Sequence, residues 1–190
     1  MSEYIKFNTE VFDQPSIAQV NLFNLVSESD PILREIMPTF DFSNPPVDPN
    51  TFASNMVETC KHHKGFGLSA NQCGYRYRMF VMGTGDEYVA FYNPRIISSS
   101  GEVHMAEGCL SFPFLGLHIT RAAIVNVEYQ DFNGVVRTAT FSGVSARCFL
   151  HEYDHLQGFT FLDKVKPLAL QQSLKKRNKL MKLMKKICLE

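Results

Sequence analysis

The chain has 190 residues, 45% of them hydrophobic and 20% charged, and its formal net charge at pH 7 is zero. This composition is typical of one ordinary globular domain. No apolar run approaches the roughly 18–20 residues of a membrane span, and the opening MSEYIKFNTEVFDQ lacks the apolar stretch of a signal peptide. We therefore expect a cytoplasmic protein with no membrane partner.

The cysteines are scattered and the charges are unevenly distributed. Five cysteines without a CxxC pair argue against a disulfide framework or a zinc finger, and leave thiols available as metal ligands. Residues 164–190 contain nine Lys or Arg and one acid, a net charge of +8, whereas residues 1–163 carry −8. We expect an acidic body over residues 1–165 and a basic amphipathic helix over residues 166–190 that belongs to the same domain.

The first elements along the chain are a loop, a helix and a second loop. The Pro- and Asn-rich residues 38–50 are typical of an irregular loop. Apolar residues at helical spacing predict a helix over about 51–64, capped by Asn50 or Thr51. The glycine-rich GFGLSANQCG, residues 65–74, is interpreted as a loop.

Strands follow this loop. RMFVMG (78–83) and EYVAFYNPRII (87–97) are typical of strands, and residues 122–141 predict a hairpin around an Asn-Gly turn. A helix then follows over about 143–157 and ends at Gly158. Strands combined with separate helices in this order indicate an α+β fold.

The last predicted helix covers about residues 168–188 and is amphipathic. Lys and Arg cover most of its surface, and its apolar residues form one stripe: Leu170, Leu174, Met181 and Met184.

The segment CFLHEYDHLQG, residues 148–158, carries the strongest chemical signal. His151 and His155 lie four residues apart, so on a helix both imidazoles face one side and can bind one metal ion. Glu152 can then reach a water molecule on that ion. The alternative is two surface histidines, but the apolar neighbours predict a buried helix, where ionisable groups need a partner or a metal.

Two histidines are too few, because catalytic metal sites usually have three protein ligands and one open position. Downstream of the helix, Asp163 is the one nearby acid. Upstream, EGCLSFP (107–113) offers Cys109, whose thiolate would complete a Cys-His-His set. An isolated cysteine is more often a small buried apolar residue, so both interpretations stay open from this residue alone.

Three motifs in order, GFGLSANQ (65–72), EGCLS (107–111) and HEYDHLQG (151–158), resemble the signature motifs of peptide deformylases. The resemblance covers about residues 30–165 and includes DPILRE near its start. It implies a catalytic domain over residues 1–165, with antiparallel β-sheets packed around a central metal-bearing α-helix, and a C-terminal helix after it. It also implies hydrolysis of the N-formyl group of formylmethionine on nascent polypeptides, with release of formate.

The resemblance also implies a role for each motif residue. Cys109, His151 and His155 would bind one divalent ion, which is Fe²⁺ in family members, with Zn²⁺ or Ni²⁺ as substitutes suited to the same ligands. Glu152 would be the general base that takes the water proton and delivers it to the departing amine.

Further roles concern the oxyanion and the substrate. The Gln72 side-chain amide and the Leu110 backbone N–H would stabilise the oxyanion, and Gly67 would pair with the substrate as an added strand. Glu107 and Arg121 match an ion pair that braces the cysteine segment. The expected substrate-binding residues, including an apolar pocket for the methionine side chain, are Gly65, Phe66, Gly67, Met105, Val144 and Cys148.

The sequence departs from the family pattern at two positions. Ser69 stands where the family usually has alanine, a change that we expect to be tolerated. Gly116 stands where many members have an arginine near the downstream part of the substrate, so contacts beyond the first side chains are not predicted.

Alternatives remain for the tail and for the activity. The basic helix, residues 168–188, is either a solvated charged face or a contact with the RNA of the ribosome. We expect a monomer.

A zinc endopeptidase is the first rival function, and Cys109 as the third ligand argues against it. An inactive homologue that serves as a binding module is the second rival, and the presence of every catalytic residue argues against it.

Overall fold

A computed structural model of the chain describes residues 20–187, with side chains described for residues 20–184. The last predicted helical position, residue 188, lies outside the described residues. Within them, the helices are α1 (Pro49–His62), α2 (Gly143–Leu156) and α3 (Pro167–Ile187). The strands are β1 (Gly67–Ser69), β2 (Met79–Thr84), β3 (Glu87–Ser100), β4 (Val103–Glu107), β5 (Leu117–Arg121), β6 (Ile124–Gln130) and β7 (Val136–Ser142).

The strands form two antiparallel sheets. The larger sheet has the order β1-β2-β3-β6-β7, which places β1 at one edge, and β4 pairs with β5 in a separate hairpin. Short 3-10 helices occupy Pro31–Arg34, Ala70–Cys73 and Phe161–Lys164. The predicted α+β class, with antiparallel sheets around a central helix, is confirmed.

Strand β2 shows how the sheet separates two apolar clusters. Successive side chains of a strand point to opposite faces, and here both faces are covered. Phe80 packs in the cluster on the α2 side, whereas Met79 and Val81 pack in the cluster on the α1 side. On α2, the buried Phe149 lies with its ring centroid 5.2 Å from that of Phe80. Helix α2 is therefore held against the sheet by interlocking aromatic side chains.

A third apolar cluster joins the β4–β5 hairpin to the C-terminal helix. Phe112, Leu117 and Phe161 are buried in it. Leu170 and Leu174 of α3 pack against it, as the predicted stripe requires. Farther along α3, Met181 is half-buried, whereas Leu180, Leu183 and Met184 are exposed. The predicted stripe therefore packs against the third cluster through Leu170 and Leu174, and its end at Met184 faces outward.

Several boundaries differ from the sequence-based expectations. Helix α1 begins at Pro49, and its cap is Asp48, whose carboxylate accepts the Thr51 N–H at 2.8 Å; the predicted caps Asn50 and Thr51 were wrong. Proline fits the first helical position because its missing N–H has no helical partner there. Residues 65–74 are not one loop, since they contain β1 and a 3-10 helix.

The hairpin β4–β5 was not predicted. Its strands are five residues long each, and alternate residues are exposed, so neither has a long apolar run.

At the end of α2, Gln157 is followed by Gly158 with φ 76°, and a Cβ there would lie 2.7 Å from the Arg34 carbonyl oxygen. No helix among residues 20–187 is long and apolar enough to cross a membrane.

Candidate active site

One face of α2 carries the chemically active side chains of the central helix. Cys148, His151, Glu152 and His155 follow the i, i+3, i+4, i+7 spacing that places residues on one helical face. None is more than 9% exposed. The ring centroids of the two histidines lie 5.1 Å apart. The two imidazoles therefore lie on one helical face, as predicted, with their rings edge to face at 74°.

The cysteine segment brings a sulfur atom next to the two histidines, and the three side chains together could hold a metal ion. Strand β4 ends at Glu107, and Cys109 follows two residues later. One ligand atom from each of Cys109, His151 and His155 lies within 4.8 Å of the other two, and Cys109 Sγ is 3.3 Å from His155 Nε2. Tetrahedral zinc-type sites place such ligand atoms about 3.3–3.8 Å apart. A thiolate with two imidazoles therefore fits one borderline divalent cation at this point.

Behind Cys109, His151 and His155 lies a largely buried group of charges that we call the Glu107 network. Its members are Glu107, Arg121, Arg147, His151 and Asp154. Glu107 Oε2 lies 3.0 Å from His151 Nδ1, and Glu107 Oε1 accepts 2.6 Å bonds from both arginines. Arg121 also donates to Asp154 at 2.6 Å. With Nδ1 of His151 bound to the carboxylate, its Nε2 is the atom that could bind a cation.

Electrostatics at the site favour a cation. Burial works against ionised Glu107, but hydrogen bonds from His151 and Arg121 outweigh it and hold the pKa of that carboxyl well below its usual range. Burial also opposes charge on His151, yet the Cys109 sulfur and Glu107 raise the pKa of that imidazole to about 10. Burial lowers the pKa of His155, which is therefore neutral. The groups that stabilise the proton on His151 would also stabilise a divalent cation, so the cation and the proton compete for the same imidazole.

Glu152 and Gln72 are held by β1 and by the 3-10 helix after it. Burial raises the pKa of Glu152 above its ordinary value. Its Oε2 accepts a 2.7 Å hydrogen bond from Ser69 Oγ. Gln72 Oε1 accepts the Ser69 N–H at 2.8 Å, so its Nε2 points to Ser111 Oγ at 3.0 Å and Cys109 Sγ at 3.5 Å. The amide donor thus lies beside the proposed ligand sulfur.

A cavity of about 430 Å³ opens in front of these groups. Its lining includes every residue predicted to bind substrate: Gly65, Phe66, Gly67, Met105, Val144 and Cys148. Cys109, Leu110, His151 and Glu152 also line it. Phe66 is 58% exposed and therefore lies at the mouth, whereas Cys148 is 9% exposed and lies at depth.

Gly67 packs closely against the face of α2 that carries Cys148 and Glu152. A Cβ at this position would lie 2.6 Å from Glu152 Oε1 and 2.9 Å from Cys148 Sγ. Such distances exclude any side chain without displacement of Glu152. Gly67 lies on β1, which is an edge strand. Because glycine has no side chain, the backbone of this edge lies directly next to the Glu152 carboxylate.

Sequence reasoning missed three polar contributors to this site. Arg147 donates to Glu107 and to the carbonyls of Val103 and Ile119, at 2.6–2.8 Å. Its signal was available, because an arginine in an apolar helix usually has a buried partner. Ser69 and Ser111 gave no comparable signal, since small hydroxyl residues are common in loops.

Comparisons with known proteins agree with this geometry. A family profile described as "Polypeptide deformylase" matches residues 22–171. A peptide deformylase of Thermotoga neapolitana is 44% identical over 123 residues, which cover 64% of this chain and 74% of that protein. Peptide deformylase 2 of Nitrosomonas europaea is 33% identical over 182 residues, 94% of this chain and 91% of the relative.

Solved structures show the same fold. The peptide deformylase of Thermus thermophilus superposes with a TM-score of 0.77 at 32% identity, covering 87% of this chain and 99% of that one. The Synechococcus elongatus peptide deformylase in complex with actinonin also gives 0.77, at 29% identity, covering 88% and 92%. The chain therefore belongs to the polypeptide deformylase family, whose members hydrolyse the N-formyl group from nascent polypeptides.

Proposed function

We propose that Cys109, His151 and His155 hold one divalent cation, natively Fe²⁺, and that Glu152 is the general base of formyl hydrolysis. The observation that carries this is that a thiol and two imidazoles lie together, and that the thiol, one of the imidazoles (His151) and the buried Glu152 carboxyl line one cavity. Zn²⁺ and Ni²⁺ suit the same three ligands. A cation held by these residues would supply Lewis-acid activation of the attacking water and would lower the pKa of that water towards neutrality.

The side chains of this protein perform the proton transfers. Glu152 accepts the proton of the attacking water and returns it to the amine that leaves, so formate and a free methionyl amine result. Burial raises the pKa of Glu152, which brings the carboxylate closer to the basicity that such a shuttle needs at neutral pH. Gly67 leaves space for the carboxylate beside the edge strand.

The oxyanion and the substrate need fixed donors and an apolar pocket. Gln72 Nε2, oriented by Ser69 and Ser111, and the backbone N–H of Leu110 are the proposed oxyanion donors. The free edge of β1 accepts the peptide as an added strand through Gly67. The methionine side chain enters the cavity that Met105, Val144, Cys148, Gly65 and Phe66 line.

The test is formate release from formyl-Met-Ala-Ser by protein purified without oxygen, with bound metal measured on the same sample. Glu152→Gln keeps the shape of the side chain and removes the base, so we expect metal retained and kcat reduced at least about 10²-fold. The matched control is Glu128→Gln, at a half-buried surface acid that pairs with Arg95 away from the cavity; we expect it to leave kcat unchanged.

Each other outcome contradicts a named part of the proposal. Bound metal without formate release by the unaltered protein points to an inactive binding module. Cleavage of an internal peptide bond points to an endopeptidase. Full activity of Glu152→Gln excludes Glu152 as the base.

We also propose that the α3 basic face, defined as Lys175, Lys176, Lys179 and Lys182, contacts the RNA of the ribosome. All four residues are exposed. Exposed cations that neutralise phosphates release counterions, so such binding weakens with salt. In this proposal the enzyme is a cytoplasmic monomer, and α3 belongs to the catalytic domain because Leu170 and Leu174 pack against its third cluster.

Deleting α3 would not test the contact cleanly, because the same deletion would uncover the cluster against which Cys109 packs. The sharper experiment replaces the four lysines with glutamine and, as a matched control, with arginine. We expect the glutamine variant to lose salt-dependent binding to ribosomes and to keep hydrolysis of a short formyl peptide. Ribosome binding that survives the glutamine replacements contradicts the proposal.

A further inference from the structure

We propose that the Ser69 hydroxyl is a positioning group for Glu152, holding one carboxylate oxygen so that the other is the atom that carries the proton. The inference rests on the proposed role of Glu152 as general base and assigns the work to a single oxygen, Oε1. Because the family usually has alanine at position 69, the contact is a feature of this chain and not of the family pattern.

The two side chains meet inside the protein. Ser69 lies at the end of β1 and is 0% exposed, and Glu152 is 3% exposed. Ser69 Oγ donates to Glu152 Oε2 at 2.7 Å and lies 3.2 Å from the Glu152 carbonyl oxygen. A hydrogen bond to a charged group in such a site is shorter and stronger than a neutral one.

The second oxygen of the carboxylate lies elsewhere. Glu152 Oε1 is packed against Gly67, at the place where a Cβ would be 2.6 Å away. Gly67 and Glu152 both line the cavity. With Oε2 held by Ser69, rotation of the carboxylate about its last bond is restricted, and Oε1 stays next to the edge strand where the peptide is proposed to bind.

The side chain of Ser69 can be tested apart from its backbone. The Ser69 N–H binds Gln72 Oε1 at 2.8 Å, and an alanine would keep this bond. Replacing Ser69 by alanine therefore removes the contact with Glu152 while the orientation of the Gln72 amide is retained. Alanine also leaves out one buried atom and introduces none, so the strand is not forced apart.

The distinguishing measurement is kcat against KM. Disturbance of β1 would weaken peptide pairing at Gly67 and raise KM, whereas misplacement of Glu152 lowers kcat at unchanged KM. For Ser69→Ala we expect kcat to fall roughly tenfold, the size of one hydrogen bond to a charged group, with KM within about twofold. Ser69→Thr, which retains the hydroxyl, should restore most of kcat.

The controls are Ser54→Ala and Glu152→Gln. Ser54 lies on α1, where its hydroxyl donates to the Asn50 carbonyl, and its loss should change neither parameter. Metal content and thermal midpoint are measured for every variant. If Ser69→Thr lowers the thermal unfolding midpoint by more than a few degrees, its kcat is not interpreted, and the kcat and KM of Ser69→Ala alone test the positioning role.

The possible failures are distinguishable. If Ser69→Ala leaves kcat unchanged, or raises KM with kcat retained, the positioning role is overturned. If Glu152→Gln is inactive in the same experiment, the proposed role of Glu152 as general base still stands. An active Glu152→Gln overturns the base itself and the inference with it.

Discussion

Two groups of charged side chains in this protein lie in opposite environments. In the Glu107 network the side chains are 3–14% exposed, and each charge faces an opposite one within 3.0 Å. On the α3 basic face every lysine is exposed. Removing the partner of a buried charge lowers the free energy of unfolding by about 3–5 kcal/mol. A single exposed charge contributes little to stability, and exposed charges act on a binding partner through their combined electrostatic field. Burial, not charge, therefore separates the part that shapes the site from the part available to a partner.

The largest effect is expected where the buried network loses its central acid. Glu107→Gln leaves Arg121 and Arg147 without their shared carboxylate. We expect a loss of about 3–5 kcal/mol in the free energy of unfolding and metal affinity about 10–100-fold weaker. Urea unfolding and metal titration measure the two.

The matched control for that change is Glu128→Gln. Glu128 pairs with Arg95 at 2.9 Å on the surface, where these side chains are 35% and 65% exposed. We expect less than about 1 kcal/mol from its loss. Equal effects of the two substitutions would remove the distinction between the regions.

Acid should weaken the same network progressively. The pKa of Glu107 is lowered from an ordinary 4.5, so its stabilisation is fully present above that value and is lost as the pH falls towards the folded-state pKa. In metal-free protein, stability should fall by about 1.4 kcal/mol per pH unit from this carboxyl alone. The free energy of unfolding is measured between about pH 5 and 3 for the unaltered protein and for Glu107→Gln, which lacks this carboxyl. We expect the pH dependence of the unaltered protein to be steeper by that slope. Parallel pH profiles of the two proteins would contradict the prediction.

Arg177 sharpens the comparison because it is a buried cation on the basic helix. It is 7% exposed, donates to the Pro113 carbonyl at 2.9 Å and pairs with Glu28. Arg177→Met should lower the free energy of unfolding by about 1–2 kcal/mol, since the carbonyl and the acid lose their donor. Thermal or urea unfolding beside the exposed neighbour Lys176→Gln tests this, and similar values for both would contradict it.

The smallest effect is expected on the α3 basic face. Lys179→Gln should change the free energy of unfolding by less than about 0.5 kcal/mol, because surface substitutions rarely exceed that. The same urea experiment measures it. A loss above about 1 kcal/mol would mean that this lysine has a structural partner.

How much the sequence predicted depends on how local each feature is. His151, Glu152 and His155 lie on one helix, so the periodicity of the backbone placed them together without knowledge of the fold. Cys109 came from motif resemblance, because no spacing rule joins it to a residue 46 positions away. The cap at Asp48 was missed although its signal was local: proline favours the first helical position, and Pro49 therefore indicates a start two residues before the predicted one.

The sequence by itself determined the α+β class, the central helix with its two histidines and glutamate, and the basic character of the C-terminal helix. Those features follow from residue periodicity and composition. The tertiary structure alone decided that Ser69 reaches Glu152 across 83 residues and that Arg147 joins Glu107. The physical reason is that hydrogen bonds and buried charges depend on which segments the folded sheets and helices bring within about 3 Å, a property that no local pattern of residues contains.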